Sequence, residues 1–523
     1  MIKTVKKVLC VAMLTAMTST MMVGCNSTNS SKDDSTTLNF GCTKFSDSLD
    51  PSAMPNAAWS VSRYAIGEGL FRFDDEMNAV NYLCDDYSVD DSHTTWKFHI
   101  RENLKFSNGK EVTASSVVDS IEYIYKQEKS GKGSSTPSVY MTYDSITADD
   151  DSRTVTIVTS KSYADLTKVL AHPYFVILDM ESDLDENPVG TGPYAISKYD
   201  TGVSLSMVAN EHYWKEEVPY EKLNITFIDD STTKAMALQN GDVDIVENIT
   251  TANDLSSLKD DSNYNVSQTA GVRIGFSYMN QAGVLKNENL RKAVLMAIDD
   301  DTMCNTTVGG MYTPGFSVLP SSLDYNHDKL KDTTPFNIQE AKKILDDAGI
   351  VDSDNNGYRE LDGKEINLSY YTYDSRNLVD FTEAIASSLE HIGIKVTVNK
   401  TDADTEWNML VTGEYDLLAT NWMTVQDGDP YGYLENWYSK SNANYCAYKS
   451  DEYDKLYENL ADEMDEEKRK EIVQKLQQIL IDDSAVLVHG YYNSNMCSNT
   501  YVTGANISIA DYYWISTNMK PAE

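Results

Sequence analysis

Hydrophobic residues recur along this chain with two different periods, and that mixture constrains its architecture more than any other feature. Trp96, Phe98 and Ile100 alternate with polar residues, as do Val203, Leu205 and Met207, and again Leu223, Ile225 and Phe227. Alternation over short runs marks strands with one buried face. Such runs are frequent up to about residue 275; helical spacing dominates after it, in Leu290, Ala293, Val294, Ala297 and Ile298 and in Ile472, Val473, Leu476, Ile479 and Leu480. Strands and helices that mix throughout predict an α/β (mixed α+β) architecture. At 523 residues the chain is long enough for several domains with sizeable cores.

The N-terminus reads as an export signal. Lys3, Lys6 and Lys7 precede an apolar stretch from Val8 to Met22 that is interrupted by Thr15, Thr18, Ser19 and Thr20. It falls short of the roughly 20 apolar residues of a spanning helix. Met22-Val23-Gly24-Cys25 resembles a bacterial lipobox. Residues 1–24 are therefore expected to be a signal peptide, with Cys25 acylated and the protein held at the outer face of the cytoplasmic membrane. Residues 25–37 are rich in Ser, Thr, Asn and Asp and have little to bury, so they are expected to form a flexible tether, with folded sequence from Leu38.

Charge and cysteine content exclude several classes. Asp plus Glu number 81 against 43 Lys plus Arg, a net charge of −38. A surface that acidic repels phosphate backbones, so nucleic acid is not an expected partner. Beyond Cys10 and Cys25 stand Cys42, Cys84, Cys304, Cys446 and Cys497, widely spaced and without a CxxC, which speaks against a disulfide framework or structural zinc. Tyr is abundant, 34 against 12 Phe, which suits pockets for polar ligands.

Motifs of covalent chemistry are missing. No G-x-S-x-G, H-E-x-x-H, Walker or dinucleotide fingerprint occurs, and no two His share a helix face. No catalytic residue, resident metal or cofactor is expected. Asp352-Ser353-Asp354-Asn355-Asn356-Gly357 matches the first half of a calcium loop, but Gly363 stands where the bidentate Glu belongs. An Asx-rich turn explains it equally.

Several segments in order resemble solute-binding protein family 5, the extracytoplasmic receptors of ABC importers for peptides, nickel complexes and opines. They are Leu49-Asp50-Pro51 with Glu68-Gly69-Leu70-Phe71, Trp96 to Gly109 (similar to F-x-L-R-x-x-x-F-x-[DN]-G), Pro188 to Tyr194 (P-V-G-T-G-P-Y), Asn210 with Tyr213-Trp214, Gly241 to Ile245, Leu290 to Ala293, Ala341 to Gly349, and Ile385 to Val396. Together they cover roughly residues 38–500. Read from the residues alone, these motifs are mostly structural. Gly190 and Gly192 are expected to supply positive φ in a tight turn, Gly109 to close one, and Trp214 to sit in the core.

The resemblance implies a periplasmic-binding-protein clamshell of two α/β lobes with an extra inserted lobe. Lobe I would take 38–75, 187–272 and 489–523, the inserted lobe 76–186 and lobe II 273–488, with hinges near 272 and 488. It implies a monomer that hands ligand to an ABC permease and its ATPase. An oligopeptide is the expected ligand, and nickel or another metal as a small chelate is the runner-up. A secreted hydrolase and a sensor without transport are readings of a different class.

The resemblance also points to a loop. Peptide receptors of this family often place an Asp between a Trp and a Pro to meet the peptide's α-ammonium, a strong charged hydrogen bond. Here the segment is Asn421-Trp422-Met423-Thr424-Val425-Gln426-Asp427-Gly428-Asp429-Pro430. Counting back from Pro430 puts Gln426 at that place, counting forward from Trp422 puts Val425, and Asp427 serves if the loop shifts. The expected ligand-binding residues are Asn421, Trp422, Gln426, Asp427 and Tyr431, with His172 and Tyr174 from a segment where some nickel receptors carry Arg before Pro. His172 has two readings, contact with an anion or metal and a backbone-bonded buried His.

Overall fold

The computed structural model of the protein describes residues 36–523; the signal segment, Cys25 and the tether as far as residue 35 lie outside the described residues. An eleven-stranded sheet forms the spine. Across it run Lys395–Thr401, Asn367–Tyr373, Leu417–Met423, Tyr264–Met279, Val486–Asn499, Ile245–Glu247, Thr37–Cys42, Lys222–Phe227, Ser204–Ala209 and Tyr194–Asp200, with the short Tyr312–Thr313 paired to Val486–Asn499.

Two long antiparallel strands, Tyr264–Met279 and Val486–Asn499, belong to both halves of this sheet. Tyr264 to Ala270 pairs with Asn499 to Asn493, beside Ile245–Glu247; Ile274 to Tyr278 pairs with Tyr491 to Val486, beside Leu417–Met423. The register breaks between Ala270 and Ile274 and again between Gly275 and Phe276. Such bulges bend a strand and increase its twist, so the two halves turn relative to each other here. The result is a two-lobed α/β clamshell.

Each half contains parallel strands, which need crossover connections. Thr37–Cys42 lies parallel to Lys222–Phe227 and Ile245–Glu247, and helix Ser231–Asn240 makes the crossover. Asn367–Tyr373 lies parallel to Lys395–Thr401 and Leu417–Met423, joined through helices Leu378–Glu390 and Ala403–Thr412. Leu417–Met423 is buried at six of its seven positions. A strand covered on both faces shows no alternation, which is why period-two reading misses it.

A separate antiparallel sheet of Cys84–Val89, Thr95–Ile100, Thr154–Thr159 and Tyr143–Asp149 packs under helix Ala114–Ser130. Trp96, Phe98 and Ile100 face inward as their alternation predicts, against Val155, Ile157 and Ile121. The same core takes in Met423, Val425 and Tyr512, so this subdomain is closed onto the 423–428 loop.

The recurring motifs knit one structural knot. Both oxygens of the Glu68 carboxylate are taken: Tyr213 Oη donates at 3.2 Å, Trp214 Nε1 at 2.9 Å and Thr191 Oγ1 at 2.9 Å. Asn210 Nδ2 donates to the Gly192 carbonyl at 2.7 Å. Trp214 is thus half-buried and polar-bonded, not a plain core residue. Gly109 has the expected positive φ of 86°, but Gly190 and Gly192 do not. They are required by close approach instead: a Cβ would stand 2.2 Å from Ile66 O at Gly190 and 2.2 Å from Ala65 O at Gly192.

Candidate ligand-binding site

Ligands of open α/β sheets collect beyond the carboxyl ends of the parallel strands. In one half those ends are Tyr373, Thr401 and Met423; in the other they are Cys42, Phe227 and Glu247. A hydrogen bond links the turns that follow the two sets, from Asn377 Nδ2 to the Thr250 carbonyl at 3.5 Å.

The loop after Met423 is anchored at its start, where Thr424 donates to the Val272 carbonyl from both N (3.0 Å) and Oγ1 (2.8 Å). Gln426 then meets the other lobe: its Oε1 accepts from Tyr140 Oη at 2.6 Å and its carbonyl from Tyr512 Oη at 2.8 Å. Gly428 has φ 76°, and a Cβ there would stand 2.7 Å from Phe73. Glycine is needed for both reasons. Asp429 pairs with Arg469 at 2.6 Å and accepts the Tyr431 N–H at 2.8 Å. Burial, then the neighbouring Asp429 charge, pushes the Asp427 carboxyl up to about 7.

Tyr140 also brings the second expected segment to this loop. Its ring lies 4.4 Å from His172 and 5.6 Å from Tyr174. His172 is buried; its Nδ1 accepts the Tyr174 N–H at 3.2 Å, and burial pulls its pKa down to about 3. The ring is therefore neutral, with its proton on Nε2, which has no partner. Gln426, Asp427, His172 and Tyr174 thus gather around Tyr140 and Tyr512.

Asn421 and Trp422 are neighbours on a strand and face opposite sides of the sheet. Asn421 Nδ2 donates to Tyr312 Oη at 3.0 Å, and its Oδ1 accepts from Arg273 at 3.2 Å. Trp422 packs on the other side, edge-on to Tyr278 with Nε1 on Thr420 Oγ1 at 3.1 Å. Tyr431 stacks on Tyr457 at 4.6 Å, away from Asn421.

Sequence reasoning did not single out the cations of this site. Arg273 projects from the long strand at its register break, and Arg376 stands in the turn after Tyr373 with φ 44°, its guanidinium 5.6 Å from the Tyr492 ring. Burial and the nearby Arg376 charge pull Arg273 down to about 10. The single carboxylate beside them, Asp511, is already held by Arg63 at 2.8 Å and lies 3.9 Å from Arg273. Arg63 and Arg273 therefore share this carboxylate, and the Arg376 charge lies near it without an ion pair. Glu406 is buried, with Oε1 unpartnered, and burial pushes it up to about 7. Arg376 falls in the segment Tyr373 to Leu378, which resembles the nickel or metallophore receptors of the family, but that resemblance gives it no binding role.

Among the described residues, no group of three or more His, Cys, Asp or Glu is arranged to hold a metal ion. In the 352–357 loop, Asp352 instead accepts the backbone N–H groups of Asn356 and Gly357.

Known proteins share this fold. The family model of bacterial extracellular solute-binding proteins, family 5 (middle region), matches residues 78–445. The dipeptide-binding protein DppE of Bacillus subtilis (strain 168) is 25% identical over 508 residues, covering 90% of this chain and 89% of that protein. The nickel-binding protein NikA of Staphylococcus aureus (strain NCTC 8325 / PS 47) is 25% identical over 450 residues, 85% of each. The crystal structure of NikA from Brucella suis in complex with Fe(III)-EDTA superposes with a TM-score of 0.83 at 19% identity, over 93% of this chain and all of that one.

Proposed function

Because the chain belongs to the bacterial extracellular solute-binding proteins of family 5, which bind solutes for ABC transporters and are not enzymes, we propose that it is a lipoprotein anchored through Cys25 that captures oligopeptides for an ABC permease. One observation carries the ligand class: Arg63 and Arg273 both draw on Asp511, and the Arg376 charge lies close enough to Arg273 to disfavour it. Like charges this close destabilise each other, and an incoming carboxylate relieves them. A peptide offers that carboxylate at its C-terminus. Its ammonium meets Asp427 or Glu406, whose carboxyls ionise as it arrives.

Asn421, Gln426 and Asp427 contact ligand within this reading, and His172 with Tyr174 forms the opposite wall. Trp422 and Tyr431 act from behind, through Tyr278 and Tyr457. A second reading, a carboxylate-bearing metal chelate, is favoured by the neutral Gln426 at the place where an anion would receive an ammonium.

Calorimetry with oligopeptides, and in parallel with nickel–histidine, separates the two. Peptide binding that weakens in Arg273→Gln supports the proposal. Binding of nickel–histidine alone replaces it with the chelate, and binding of neither rejects both. For the anchor, Cys25→Ala should move the protein out of the membrane fraction; a variant that stays there without a lipid adduct rejects it.

A further inference from the structure

A cavity of about 460 Å³ lies beside the arginine junction, between the 66–73 segment, Tyr82, the 213–215 turn and the C-terminal stretch 513–518. That volume is in the range of small-molecule sites. Its walls carry three cations, Arg72, Arg101 and Lys215, and one carboxylate, Glu68. Glu68 accepts from Thr191, Tyr213 and Trp214, and its charge favours the nearby Arg72 without forming an ion pair. Among the described residues none of the three cations has an ion-pair partner, although the chain carries 81 acidic residues.

Aromatic faces hold these cations instead. The Arg72 guanidinium lies 4.0 Å from the Tyr513 ring centroid, that of Arg101 lies 5.3 Å from Trp214, and Lys215 Nζ lies 5.4 Å from Tyr82. A guanidinium stacked on a ring keeps its edge N–H groups for a ligand. Arg72 spends only Nη1, on Tyr82 Oη at 3.3 Å, and Arg101 only Nε, on the Tyr82 carbonyl. The buried His172, whose Nε2–H has no partner, lines the same cavity. Glu211, Glu216 and Glu217 line a neighbouring, shallower depression, where Glu216 accepts from Thr517 Oγ1.

We propose that this cavity is a second binding site, for a small organic anion bearing two or more carboxylate or phosphate groups. Arg273 and Arg376 do not line it, whereas His172 borders both spaces, so the cavity adjoins the junction between the lobes and brings a separate set of cations. The anion's charged groups supply ion-pair partners to Arg72, Arg101 and Lys215.

Calorimetry of the purified protein at low ionic strength, with citrate and separately with inorganic phosphate, tests this. Citrate should bind one per chain, and Arg72→Gln and Lys215→Gln should each weaken it tenfold or more. Lys215 is exposed, so Lys215→Gln should keep the parent melting temperature and stays informative even if Arg72→Gln folds poorly. Phosphate binding with the same variant pattern assigns the site to phosphate groups. No heat with either anion overturns the proposal, as does unchanged affinity in Lys215→Gln. If Arg273→Gln, rather than the cavity variants, abolishes the citrate signal, the anion sits in the junction and the proposal falls.

Discussion

Tyr140 and Gln426 are 286 residues apart in sequence and 2.6 Å apart in space, hydroxyl donor to amide acceptor. The bond joins the subdomain built on the four-stranded sheet to the loop that leaves the parallel half-sheet. It sits beside Tyr512, which bonds the same residue's carbonyl at 2.8 Å. Gly428, two residues on, is pressed against Phe73 and Lys168. One short loop therefore touches the four-stranded subdomain, the 71–73 strand and the C-terminal stretch together.

Removing the hydroxyl should loosen that contact without harming either lobe. A hydrogen bond of this kind contributes about 1 kcal/mol net, so Tyr140→Phe should weaken ligand binding by roughly fivefold. Small-angle scattering should show a larger radius of gyration for the variant without ligand and a normal one at saturation. An unchanged affinity and radius would show that the bond does not bias closure.

The arginine junction predicts a charge-specific loss. Arg273→Gln removes a charged donor facing Asn421 and should cost about 2 kcal/mol, roughly thirtyfold in affinity for an anionic ligand. Arg273→Lys keeps the charge but not the planar fork, and should recover only part of that. Equal binding by all three proteins, measured by calorimetry, would place the ligand's anionic group elsewhere.

These features were unevenly legible in the sequence. Thr95–Ile100 announces itself because one face is buried and the other wet, whereas Leu417–Met423 is buried on both faces and its period is silent. The bend at Ala270 and Ile274 leaves no periodic trace either, since a bulge is one misplaced pairing and not a composition. At the site, the loop between Trp422 and Pro430 was findable only through the family resemblance, which places a ligand-binding residue between a Trp and a Pro. Tyr140 was not, because nothing local in a sequence reports a partner 286 positions away. Arg273 is one cation inside a strand, and only its neighbours Arg376 and Asp511 give it meaning.

Beneath the carboxyl end of the first half-sheet, Lys234 and Glu247 form a fully buried pair at 2.9 Å. Lys234 Nζ also donates to the carbonyls of Glu247 (2.8 Å) and Asn248 (3.1 Å). Burial pushes the Glu247 carboxyl up, but the Lys234 charge and the Thr43 N–H outweigh it and hold it below its usual range. Lys234→Met strands a buried carboxylate and should cost about 3–5 kcal/mol in urea unfolding. The double variant Lys234→Met/Glu247→Leu removes both charges and should lose much less. A double variant as unstable as the single would show that shape, not the stranded charge, sets the cost.

Asp427 makes binding and stability depend on pH in a direction that can be worked out. Its usual value is 3.8, and the closed junction raises it to about 7. The closed state therefore holds a proton more tightly than the open or unfolded chain. Below the usual value both states are protonated and the stabilisation is complete. As pH rises toward 7 the open and unfolded states lose the proton first, so closure weakens. Glu406, raised to about 7, and Asp300, raised to about 8, act in the same sense. The melting temperature of the ligand-free protein should fall between pH 5 and pH 8, and Asp427→Asn should flatten that slope while the other two carboxyls keep part of it. A ligand ammonium beside Asp427 reverses the local preference by favouring the carboxylate, so the fall should be shallower at saturating peptide than without it. A slope that is identical in Asp427→Asn, with and without peptide, would mean that Asp427 neither titrates in this range nor meets the ligand.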